Sequence, residues 1–265
     1  MERWQFIRFG HEGRVRFGRV ATGADADSGA FVEVLSGDPV RTDAGVTGEL
    51  VPVSAVRLLA PVAPGKIVAV GRNYADHIAE MGMGEPAIPR LFLKPPSAVT
   101  GPGAEIRYPG QSREVEYEAE LAVVIGSRAR NVNAADALAY VFGYTCANDV
   151  TARDIQRADG QPSWAKAFDT FCPLGPWIVP GLDPTNLGIR STVNGAPRQG
   201  ANTGMMLTPV ADLIAYITAA LTLEPGDVVL TGTPSGVGPL KPGDTVSVSI
   251  DGIGTLENPV VSGVE

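Results

Sequence analysis

The sequence predicts a β-rich α+β protein in which a small amino-terminal β unit precedes one larger domain. Three observations carry that expectation: β-branched runs cut short by turn residues, 32 glycines and 22 prolines among 265 residues, and only a few stretches with helical apolar spacing.

Trp4 to Phe9, Val15 to Val20 and Phe31 to Leu35 read as short strands separated by Gly and Asp turns. Pro61-Val62-Ala63-Pro64-Gly65 then disfavours either regular structure, which divides the chain into residues 1–60 and 61–265. Lys66 to Val70 is a β-branched strand, Asn73 to Met81 a short helix, and Val115 to Ile125 one long strand whose polarity alternates only at its start. Ala134 to Val141 and Pro209 to Leu221 carry helix-like spacing, while Val228 to Leu230 and Thr245 to Ile250 read as strands. No fixed-period repeat supports a solenoid or propeller.

With 21 basic against 29 acidic residues the net charge is −8, which repels a phosphate backbone and sets nucleic acid aside as a partner. No stretch approaches the ~20 apolar residues of a membrane helix, and Met1 to Phe9 lacks an apolar signal core, so the expectation is a cytoplasmic protein without a membrane partner. Cys146 and Cys172 fit neither a disulfide framework nor paired zinc ligands and read as buried thiols.

The strongest chemical signal is Val115-Glu116-Tyr117-Glu118-Ala119-Glu120-Leu121, because the period of a strand sends the three glutamates to one face. The plain alternative is a solvated strand edge. Leu121 to Ile125, however, is apolar on both faces, so the carboxylates stand at the mouth of a buried strand and require a partner charge. Asp149 follows another short apolar strand and is a further ligand candidate. A carboxylate-only set suits Mg or Mn, with Ca as the alternative.

Five segments taken together, Gly71-Arg72-Asn73-Tyr74-Ala75-Asp76-His77, Phe92-Leu93-Lys94-Pro95, Tyr117-Glu118-Ala119-Glu120-Leu121, Asn148-Asp149-Val150-Thr151-Ala152-Arg153-Asp154 and Leu230-Thr231-Gly232-Thr233-Pro234, resemble the fumarylacetoacetate hydrolase family over about residues 65 to 260. The resemblance implies a β-rich mixed-sheet roll, a homodimer, and Mg or Mn held by Glu118, Glu120 and Asp149. Glu116 then sits behind the ligands.

His77 is the only histidine beyond the amino-terminal unit, and Glu80, three residues on, shares its helix face, where it can fix the imidazole tautomer. A plain surface pair is the alternative; the resemblance assigns such a pair to water activation. Met81 to Pro86 follows, with two glycines and a proline, and reads as a lid. By resemblance, Lys166 faces the metal and stabilises an enolate or oxyanion, whereas from its own surroundings it can equally be a surface lysine. Arg153 and Gln156, one turn apart on a helix over Thr151 to Arg157, either contact substrate or brace the aspartate loop. Thr231 to Gly238 is no nucleotide loop, since it lacks the P-loop lysine and the G-x-G-x-x-G spacing. Thr233 within it is a candidate contact for a substrate carboxylate, and Arg72 is a weaker candidate for the same task.

The leading expectation is metal-dependent hydrolysis of a C–C bond in an acylpyruvate-like keto acid, as in aromatic catabolism, with His77, Glu80 and Lys166 as catalytic groups. Decarboxylation of an oxaloacetate-like acid and isomerisation of a hydroxydienoate use the same metal enolate. A catalytically silent keto-acid or metal binding protein is the alternative of another class.

Overall fold

The computed structural model describes residues 4–21, 29–82 and 84–263, and Met83 of the expected lid segment lies outside them. Strands dominate, as composition predicts, and fall into three sheets. The largest runs in the order Val46–Pro52, Phe31–Leu35, Arg14–Ala21, Trp4–His11, Cys172–Val179, Val141–Asn148, Ala119–Ile125, Val228–Leu230, Ile67–Gly71 and Arg90–Lys94. Its pairings are antiparallel along this path except that Val228–Leu230 runs parallel to Ile67–Gly71, which makes it a mixed sheet. A five-stranded sheet (Gly188–Val193, Ala196–Asn202, Thr245–Ile250, Gly254–Ser262, Ile106–Tyr108) and a three-stranded one (Val115–Tyr117, Thr151–Ala152, Gly238–Leu240) complete the β-rich roll. The amino-terminal strands extend the main sheet, with Phe6 opposite Ile178.

Ala119–Ile125 shows why a buried strand reads as a continuous apolar run. Leu121, Val123 and Ile125 pack with Val68, Ile214 and Ile217 on one face, while Ala122 and Val124 pack with Ile67, Leu174 and Val228 on the other. Every side chain of the strand is buried.

Three expected elements take different bounds. Val115 to Ile125 is not one strand: it stops at Tyr117 and restarts at Ala119, because the Glu118 N–H donates to Asn148 Oδ1 and the Glu118 carbonyl accepts from Asp149 N, where the chain leaves one sheet for another. The three glutamates therefore do not form one flat row. Ala134–Tyr140 is a 3₁₀ helix, a tighter winding than the expected α turn. Thr151 and Ala152 pair as strand, and the helix starts at Arg153 and runs to Asp159. Helices Ala75–Glu80 and Val210–Ala220 fall within the expected stretches, trimmed by one or two residues at each end.

Candidate active site

Where the chain changes sheets at Glu118, the ends of two buried strands bring Glu118, Glu120 and Asp149 together. All three side chains are buried, and each offers a carboxylate oxygen within 4.8 Å of the other two. Glu116 is outside this group; its Oε2 accepts from Arg153 Nε at 2.6 Å. It thus stands behind the cluster.

Buried carboxylates need cations. Lys166 Nζ donates to Glu118 Oε2 at 2.8 Å and to Asp149 Oδ2 at 2.6 Å, while Arg153 Nη2 donates to Glu118 Oε1 at 2.6 Å. Burial alone would push the Glu118 carboxyl up, yet Lys166 and Arg153, with a smaller contribution from His77, hold it well below the ordinary range. Burial likewise works against the Lys166 charge, and Asp149 and Glu118 overcome it, so its pKa lies above the usual lysine value. Asp149 gains a second cation in Lys94, whose Nζ donates to Asp149 Oδ1 at 2.5 Å and whose side chain has no exposed surface.

Glu120 differs. Its Oε2 accepts the Gly232 N–H at 2.7 Å, but no lysine or arginine of the described residues pairs with it. Burial first, then the charges of Asp149 and Glu118, push its carboxyl well above the ordinary range. A cation in the three-oxygen cradle would supply the missing counter-charge, and an all-carboxylate donor set suits a hard ion. These residues fit a divalent metal.

A raised carboxyl pKa stabilises the cation-free fold below the ordinary carboxylate range, and that stability is lost as pH rises through the raised Glu120 value. The depressed Glu118 acts oppositely, in acid only. We expect urea midpoints measured in chelator to fall as pH rises through the Glu120 value, and added Mg to flatten the trend. Calorimetry in buffers of different ionisation heat should show a proton released on cation binding.

The i,i+3 spacing of His77 and Glu80 does what it predicts: His77 Nδ1 lies 3.1 Å from Glu80 Oε2. Glu80 Oε1 accepts the Gly236 N–H at 2.9 Å. A proton on Nδ1 directed at Glu80 leaves Nε2 as the basic nitrogen. The glycine-rich loop Thr231 to Gly238 thus presents backbone N–H groups to two carboxylates of the chain itself, Glu120 and Glu80.

Thr233 is held within the protein: its Oγ1 donates to the Ala119 carbonyl at 2.8 Å and accepts from Gln199 Nε2 at 2.7 Å. Arg153 Nη1 donates to Gln156 Oε1 at 2.6 Å, so the helix turn braces the guanidinium that also grips Glu116 and Glu118. One cavity of about 530 Å³ gathers Arg72, His77, Glu118, Glu120, Asp149, Arg153, Gln156, Lys166 and Thr233 on its wall; Glu80 alone of the expected site residues stands behind it.

Sequence reasoning passed over Lys94, Asn148 and Gln199. Strand parity was the available signal for Lys94, which shares the face of buried Phe92 in Arg90–Lys94. Gln199 has no local signal. Its buried amide accepts from Ala119 N and Ser191 Oγ and donates to Thr233 Oγ1 and the Pro234 carbonyl, tying the glycine-rich loop to the ligand strand. Gln199→Leu should lower stability by about 1–3 kcal/mol through the orphaned Ala119 N–H, and should weaken cation binding, both measurable by thermal shift with and without Mg.

A family model described as Fumarylacetoacetate (FAA) hydrolase C-terminal matches residues 66–261, and one described as Rv2993c-like, N-terminal matches residues 5–61. Protein Rv2993c of Mycobacterium tuberculosis is 48% identical over 261 residues, which span 93% of this chain and 98% of that protein. The crystal structure of 2-hydroxyhepta-2,4-diene-1,7-dioate isomerase from Mycobacterium marinum matches with a TM-score of 0.90 and 44% identity, covering 98% of this chain and 99% of that one. The mitochondrial oxaloacetate tautomerase fahd2 of Xenopus laevis is 47% identical over 221 residues, 78% of this chain and 69% of that protein.

Proposed function

The chain belongs to the fumarylacetoacetate hydrolase family, and from that premise we propose that it is a Mg- or Mn-dependent enzyme that moves a proton at the carbon beside the keto group of a small 2-oxo acid. The observation that carries this reading is one cavity wall holding a buried carboxylate cluster, a buried lysine and a histidine with an oriented ring. Glu118, Glu120 and Asp149 would hold a divalent ion, which would supply Lewis-acid polarisation of a bound keto acid.

The chain's own groups do the rest. Glu80 holds the imidazole, and His77 Nε2 takes the proton from carbon and returns it at a neighbouring atom. Lys166 uses two of its three N–H groups on Glu118 and Asp149, which leaves the third for an oxygen that gains negative charge. Phe92, Leu91 and Met81 give the cavity an apolar wall that limits water. The names carried by relatives, an isomerase and a tautomerase, support proton transfer as the net reaction.

Hydrolysis of an acylpyruvate is the second reading, favoured by the His77 and Glu80 pair, which suits activation of a water equally well. Ultraviolet assays of oxaloacetate, acetylpyruvate and fumarylpyruvate with Mg, Mn and chelator separate the two. Cation-dependent loss of the enol band with an intact carbon skeleton supports proton transfer, and release of two acids selects hydrolysis. No cation-dependent change with any of them would sink both.

A further inference from the structure

A second cavity, of about 350 Å³, lies where the amino-terminal unit, the segment that follows it and residues 96–104 of the larger domain meet. It shares no lining residue with the cavity of the carboxylate cluster. Arg8 and Arg57 stand on its wall, and no carboxylate residue does among the described residues. Strand pairing explains why the two arginines meet. Gly10 lies opposite Arg57 where Trp4–His11 runs beside Arg57–Leu58, so alternation sends Arg8 and Arg57 to one face as diagonal neighbours, about 7–8 Å apart. Gly10 has no side chain to occupy the space between them; a Cβ there would lie 3.6 Å from Arg57 Nη2.

Neither guanidinium is satisfied by the chain. Arg57 forms no hydrogen bond or ion pair with another described residue, and Arg8 donates only to the Ala60 carbonyl, at the long distance of 3.5 Å. Asp38 acts on Arg8, but Arg41 and the Val40 N–H already occupy its carboxylate, and burial lowers the Arg8 pKa by more than Asp38 raises it. Most of the N–H groups of the pair are left for an outside acceptor. Thr100, across the cavity, adds a hydroxyl that bonds to no described residue.

The remaining wall is apolar and fixed. Leu59, Val62, Pro64, Pro96 and Val99 supply it. Val99 and Thr100 are paired with Cys172 and Pro173, and Gly101 approaches the segment so closely that a Cβ would collide with the backbone of Leu59 and Ala60. Walls set in advance cost a ligand little ordering, and the volume is within the range of small-molecule sites. Two free guanidinium groups call for a planar anion, and the apolar wall calls for a hydrocarbon body attached to it.

We propose that this junction cavity is a second ligand site, in which Arg8 and Arg57 hold the carboxylate of a small monocarboxylic acid and the apolar wall covers its hydrocarbon body. It is independent of the cation and of the reaction at the carboxylate cluster.

The test is calorimetric binding in chelator, so that no cation at the cluster contributes, with three probes: cyclohexanecarboxylate, cyclohexylmethanol, which keeps the body without the charge, and inorganic phosphate, which keeps charge without the body. The wild-type protein should bind cyclohexanecarboxylate about tenfold or more tightly than either of the others, the gain of one charge-assisted contact over the alcohol. Arg57→Leu, a change at an exposed side chain, should bring the ratio to the alcohol near one at an unchanged melting temperature, and Arg57→Lys should keep part of it because charge survives without the planar fork. Arg90→Leu, in the other cavity, should leave the ratio as it is. Equal binding of acid and alcohol by the wild-type protein, no binding of the acid, or a preference untouched by Arg57→Leu would overturn the proposal. Phosphate binding as tightly as cyclohexanecarboxylate would overturn the assigned ligand class, since the apolar wall would then contribute nothing.

Discussion

Asp149→Ala is expected to lower the unfolding free energy by about 3–5 kcal/mol, the range for breaking a buried ion pair by removing one partner. Asp149 is the shared anion of two buried lysines. Lys166 keeps Glu118 when it is removed, but Lys94 retains only the Val150 carbonyl at 3.4 Å. A fully buried ammonium without a counter-charge is the source of the loss. Adding Lys94→Met in the same chain should restore a good part of it, since the orphaned charge goes as well. Urea denaturation of the single and double variants measures both, and Mg should no longer raise the midpoint of either. An unchanged midpoint in Asp149→Ala would mean that the buried pair does not exist.

His77→Gln is expected to leave the fold and the cation-dependent rise in melting temperature intact, while kcat on the preferred 2-oxo acid falls by about 10²–10⁴-fold, the usual contribution of a positioned acid–base group. The reasoning is geometric. His77 lines the same cavity as Glu118, yet it is not one of the three residues whose oxygens converge in the carboxylate cradle. Glu80→Gln should give a smaller loss, because the amide oxygen can still orient the ring. Retention of near wild-type turnover by His77→Gln would remove the histidine from the proposed proton transfer.

Local rules reached much of this site. Strand parity placed Glu118 and Glu120 near each other, helix spacing joined His77 to Glu80 and Arg153 to Gln156, and the apolar run after Leu121 pointed to burial. What escaped depends on chain segments distant in sequence. The break at Glu118 arises because Asn148 and Asp149 claim its backbone, and no property of residues 115 to 125 announces that. Strand parity puts Lys94 on the buried face beside Phe92, but its counter-charge arrives only when the fold delivers Asp149. Gln199 becomes a hub only when three other segments converge on its amide. Gly232 and Gly236 contribute backbone N–H groups, which have no residue signature at all.

The glycine-rich loop also bears on how such a protein can diversify. One short segment grips the cluster carboxylate Glu120 through Gly232 and Glu80, the partner of His77, through Gly236. A substitution that shifts the loop is therefore expected to disturb the carboxylate cradle and the His77–Glu80 pair together. Inherited variation has freer play at the part of the cavity wall formed by Arg72 and Arg90, whose side chains bond to no other side chain among the described residues. New ligand preferences should arise by changing that wall while the loop stays constant, so a lineage can exchange its substrate without rebuilding its chemistry.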